Sequence, residues 1–85
     1  MKEESYHGYN IGDIVYVKPD DWKVLKGRVK GFQMVDNHLP IVECKHPYKK
    51  GEMFSRAFDL ERISKKKTIT IYEWKIVPTK YTYKE

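Results

Sequence analysis

The chain is 85 residues long, enough for one domain with a single core and little room for an internal active-site cavity. Charged residues make up 34% of it, but 14% aromatics argue against disorder and point to a packed fold with a charged skin. The net charge of +5 is unevenly spread: residues 1–42 carry six basic and six acidic side chains and residues 43–85 carry eleven and six, so an anionic partner is expected to meet the second half.

Residues 1–10 read as a polar and aromatic leader containing Tyr6, His7 and Tyr9. Met1 to Ser5 is charged with no apolar run behind it, unlike a signal peptide. The longest apolar run, Ile14 to Val17, is too short to span a bilayer, so a cytoplasmic protein is expected. Gly12-Asp13-Ile14-Val15-Tyr16-Val17 predicts a first strand over 13–18, with Val15 and Val17 on the core face and Ile14 and Tyr16 on the other. Pro19-Asp20-Asp21 is turn chemistry and places Trp22 in the following loop, either capping an open end of the core or offering a ligand platform.

Lys26-Gly27-Arg28-Val29-Lys30-Gly31-Phe32 predicts a second strand over 24–33 that bends at its glycines. Val29 should point inward, and Arg28, Lys30 and Phe32 outward. Val35 to His38 is a hairpin turn in which Asp36-Asn37 tolerates positive φ. The third strand, 39–44, leaves two registers open, one burying Leu39 with Ile41 and the other Val42 with Cys44. A basic loop, Lys45 to Gly51, leads to a fourth strand, 52–58, with Phe54, Arg56 and Phe58 on one face. Asp59 to Ser64 predicts a helical or 3₁₀ turn with Leu60 and Ile63 on its inner side. After Lys65-Lys66-Lys67 comes the longest β pattern, 68–77, with Ile69 and Ile71 on one face and Tyr72, Trp74 and Ile76 on the other. Such a stripe makes self-association a possible use of that face. A turn at Pro78-Thr79 and a sixth strand, 80–84, complete the reading.

The order of a first strand, a Trp-bearing loop, a Gly-flanked strand, a hairpin, a strand, a basic loop, a strand, a 3₁₀ turn and a strand resembles the SH3-like small barrels, including the KOW, Tudor and chromo-barrel groups. The resemblance covers residues 11–72 and rests on Gly12 to Val17, Lys26-Gly27-Arg28-Val29 and the Leu60 to Ile63 turn. It implies an all-β, five-stranded barrel with one 3₁₀ turn, preceded by the leader 1–10 and followed by a C-terminal β extension, 73–85. The predicted core is Val15, Val17, Val29, Phe58, Leu60, Ile63 and Ile69. Likeness to KOW domains implies contact between Lys26-Gly27 and RNA or a nucleoprotein partner. Likeness to Tudor domains implies an aromatic site for methylated side chains using Trp22 and Tyr16.

No phosphate loop, helix-borne His pair or paired catalytic carboxylates are present in the sequence, and no cofactor is expected. His38, Cys44 and His46 lack the spacing of a closed zinc site, and Cys44, the lone cysteine, reads as a core residue rather than a nucleophile paired with His46. Basic and aromatic residues remain: Trp22, Lys26, Arg28, Lys30, Tyr48, Lys49, Lys50, Arg56, Lys66, Lys67, Tyr72 and Trp74, together with Lys45 and Lys65. Interleaved cations and rings suit contact with phosphates plus stacking on bases. A non-enzymatic module binding nucleic acid, RNA or DNA, or a nucleoprotein complex is the leading expectation. The alternative is a protein-binding adaptor or inhibitor of the phage or mobile-element type, because the same aromatics dominate protein interfaces.

Overall fold

The computed structural model describes residues 5–35, 37–72 and 77–84. Its secondary structure is all-β apart from one 3₁₀ turn, and no helix among the described residues is long and apolar enough to cross a membrane. The strands are β1 (Ser5–Tyr6), β2 (Tyr9–Asn10), β3 (Ile14–Val17), β4 (Leu25–Phe32), β5 (Pro40–Lys45), β6 (Met53–Ala57), β7 (Ile63–Ser64), β8 (Thr68–Ile71) and β9 (Thr79–Thr82), with the 3₁₀ turn at Leu60–Arg62.

An antiparallel sheet of five strands runs in the order β6-β5-β4-β3-β7 and carries the domain. β6 and β7 form its two edges, and no pairing among the described residues closes them into a barrel. Strict alternation in β3 turns Val15 and Val17 into the core and leaves Ile14 exposed. In β5 the register that buries Val42 and Cys44 is the one adopted. With Leu25, Val29, Phe32, Phe58 and Ile63 these residues form the main core.

Several expectations are corrected. Phe32 faces the core rather than solvent, because Val29 pairs with Val42 and Gly31 with Ile41, which leaves Lys30 as the extra residue of a β-bulge. A bulge shifts the alternation by one, so Val29 and Phe32 reach the same side. Leu60 is 43% exposed and outside the core. The 3₁₀ turn ends at Arg62, and Ile63 is already extended as β7, pairing with Val17 and turning inward without Leu60.

The strand that returns to β3 is the short Ile63–Ser64, whereas the long pattern begins as β8 and pairs with β9. In that hairpin Ile71 lies opposite Thr79, so Pro78-Thr79 is not the turn; the connection spans 72–78, of which 73–76, including Trp74 and Ile76, lie outside the described residues. Ile69 is buried as expected but in a second cluster, where Ile69, Ile71 and Val24 pack with Tyr16, Tyr81 and Tyr83. This cluster seats the C-terminal hairpin on the outer side of β3, and paired Thr68 and Thr82 hydroxyls, 3.0 Å apart, reinforce it.

Residues 5–10 form a hairpin whose two-residue loop, His7-Gly8, has positive φ at both positions. It lies on the core, with the Tyr6 ring edge-on to Phe32 at 4.9 Å and stacked on His38 at 4.3 Å. Among the described residues of the β4–β5 loop positive φ falls on His38 and not on Asn37, while Asp36 lies outside the described residues.

Candidate functional site

The bulge and the alternation of β4 decide where the cations go. Leu25, Gly27 and Val29 point into the core, so Lys26, Arg28 and Lys30 all stand on the outer face of the sheet. Opposite Arg28 on β5 is Glu43, and opposite it on β3 is Ile14. Glu43 accepts a hydrogen bond from the Lys30 ammonium at 3.2 Å, which neutralises that carboxylate locally.

This outer face is the floor of an open groove of about 600 Å³. Its walls come from two neighbours, the segment after β9, with Tyr83 and Lys84, and the β5–β6 loop, with His46 and Pro47. Five cationic side chains line it, Lys23, Lys26, Arg28, Lys45 and Lys84, against one carboxylate, Glu43. Among the described residues none of the five forms an ion pair. Ile14, Met53 and Tyr83 contribute apolar surface between them.

The β5–β6 wall is held by a histidine. Backbone N–H groups of Tyr48 and Lys49 both donate to His46 Nδ1 at 3.1 Å, so that nitrogen carries no proton. The His46 backbone N–H donates to the Glu52 carbonyl at 2.8 Å, which closes the loop at its base. Its ring joins Trp22, Tyr48 and Phe54 in a cluster whose centroids lie 5.0 to 6.3 Å apart at tilted or edge-on angles. Rings this close fill one another's space. Trp22 thus packs on the end of the core, and Tyr48 remains exposed. Tyr16 stands elsewhere, tilted against Tyr83 at 5.2 Å.

Of the residues singled out from the sequence, Lys26 and Arg28 line the groove, and Lys30 stands beside it on Glu43. Lys49 and Lys50 are exposed on the loop that carries His46. Arg56 lies on the core-side face of edge strand β6, opposite Val42, with its guanidinium 4.9 Å from the Phe58 ring centre. Lys66 and Lys67 occupy the β7–β8 turn, and Tyr72 is exposed beyond β8; neither region lines the groove. Lys23, Tyr83 and Lys84 were not singled out, although the alternation Tyr81-Thr82-Tyr83 marks a strand with a tyrosine face. Three of the five groove cations belong to residues 1–42, where the charges cancel, so charge balance by halves misplaces the basic surface.

His38, Cys44 and His46 are dispersed. His38 Nδ1 lies 2.9 Å from the Gln33 carbonyl, Cys44 is buried in the core, and His46 belongs to the loop just described. Among the described residues no three His, Cys, Asp or Glu side chains converge on a metal position. Burial, helped by the neighbouring Glu43 carboxylate, pushes the Cys44 thiol up to about 12, so it stays protonated at neutral pH. No protein-family model matches the chain, and neither does any curated protein or solved structure.

Proposed function

We propose that this protein is a small, non-enzymatic binding module of the cytoplasm whose partner is nucleic acid or a nucleoprotein complex, met at the basic groove. One observation carries the reading: five cations and one already paired carboxylate surround a concave surface with apolar patches. Phosphates answer the cations, and bases answer the apolar surface. The fold reading that accompanies it is an SH3-like small barrel. Supporting it are the strand order β6-β5-β4-β3-β7, the 3₁₀ turn between β6 and β7, and the return of β7 to β3.

Fluorescence anisotropy with labelled RNA and DNA of mixed sequence tests the function. With three or four phosphates engaged, affinity for a single strand should fall about 20- to 50-fold between about 50 and 200 mM salt. Replacing Lys26, Arg28 and Lys45 together with Gln should weaken binding and flatten that dependence. Absence of binding at the lower salt would overturn the proposal.

The exposed Tyr48 ring beside Trp22 favours a second reading, a protein-binding adaptor or inhibitor. That reading predicts a partner lost on truncation of Tyr48 or Trp22 and nearly indifferent to the Gln substitutions.

A further inference from the structure

We propose that the groove takes an unpaired nucleotide segment, with a base against Tyr83 and successive phosphates on Arg28, Lys26 and the neighbouring lysines; this rests on the nucleic-acid reading of the same site. Shape is the first argument. The cations stand inside a concavity walled by Tyr83 and Lys84 on one side and by His46 and Pro47 on the other. A volume of about 600 Å³ holds roughly one or two nucleotides. A duplex keeps its bases stacked within and offers a convex backbone, so it meets rim lysines and leaves the floor unused.

Chemistry of the lining is the second argument. Lys26 and Arg28 are two residues apart on one strand, so their side chains leave the sheet on the same face about 7 Å apart and meet neighbouring phosphates rather than one. The same groove is lined by Ile14, Met53 and the half-buried Tyr83, surface that phosphate has no use for and a base covers. Tyr83 is also braced for the purpose. Tyr16 supports it at 5.2 Å, and the Tyr83 N–H donates to the Lys67 carbonyl at 2.8 Å, which fixes its backbone. A ring held before binding loses little freedom when a base stacks on it.

The test compares a labelled ten-nucleotide single strand with its own duplex on the unmodified protein, then repeats the single strand with Tyr83→Leu and Tyr83→Phe. Leucine keeps apolar bulk against Tyr16 and removes the π-face; phenylalanine keeps both, and thermal melts check that each variant folds. We expect the single strand to bind at least about 10-fold tighter than the duplex. We also expect Tyr83→Leu to weaken it about 5-fold or more with the salt dependence unchanged, and Tyr83→Phe to behave as the parent. Equal or tighter duplex binding, or a Tyr83→Leu variant that binds like the parent, overturns the single-strand proposal while the nucleic-acid reading stands. Failure of both forms to bind overturns the two together.

Discussion

Gly27 lies opposite Cys44 across β4 and β5, so close that a β-carbon on Gly27 would stand 2.6 Å from the Cys44 sulfur. It would also stand 2.6 Å from a Val42 methyl and 2.7 Å from the Glu43 carbonyl oxygen. This glycine is required by close approach rather than by an unusual φ. Gly27→Ala should destabilise the domain by about 1–3 kcal/mol through overpacking, whereas Gly31→Ala, whose β-carbon meets nothing within 4 Å, should cost under about 1 kcal/mol. Urea denaturation of the two variants checks the contrast.

Among the described residues Lys18 is the buried cation, 7% exposed. Its ammonium donates to the carbonyls of Pro19 at 3.0 Å and Asp20 at 3.3 Å and lies 4.7 Å from the centre of the Tyr81 ring. It therefore ties the β3–β4 loop to the C-terminal hairpin. Lys18→Met keeps the stem and removes the charge, and should cost about 1.5–3 kcal/mol. Hydrogen exchange should quicken first in β8 and β9, and uniform loss of protection would contradict the tie.

The raised Cys44 thiol makes stability fall at high pH. Below the ordinary thiol range both folded and unfolded chains keep the proton. Between about 9 and about 12 the unfolded chain releases it and the folded chain holds it, so rising pH favours unfolding. Urea melts at rising pH should show a steeper decline for the parent than for Cys44→Ala; equal slopes would place the thiol at its ordinary value.

Much of the sheet was legible because burial imposes period two on β3 and on β4 up to its bulge, and Val15, Val17 and Val29 report it directly, whereas β5 carries Leu39, Ile41, Val42 and Cys44 in or beside it on both faces and so left two registers open. Phe32 misled because a bulge at Lys30 leaves no trace in hydrophobicity: the alternation shifts at a charged residue that looks the same in either register. The first hairpin was missed because His7-Gly8 is a weaker turn signal than Asn-Gly, and its strands hold two residues each. For the groove, Lys26 entered through the likeness to KOW domains, and local pattern placed Arg28 on an exposed face. It could not say that Tyr83 and Lys84, more than fifty residues later, would wall the same surface, since that depends on where the C-terminal hairpin docks.

The central claim is that nucleic acid binds in the groove on the outer face of β3, β4 and β5, and amide chemical-shift mapping tests it most directly. Titrating labelled protein with a short single strand should shift the amides of residues 23–28, 43–47 and 83–84, saturably and together. Residues 65–67, equally basic but outside the groove, should move little. Shifts concentrated at 49–50 and 65–67 and sparing Lys26, Arg28 and Tyr83 would contradict the claim.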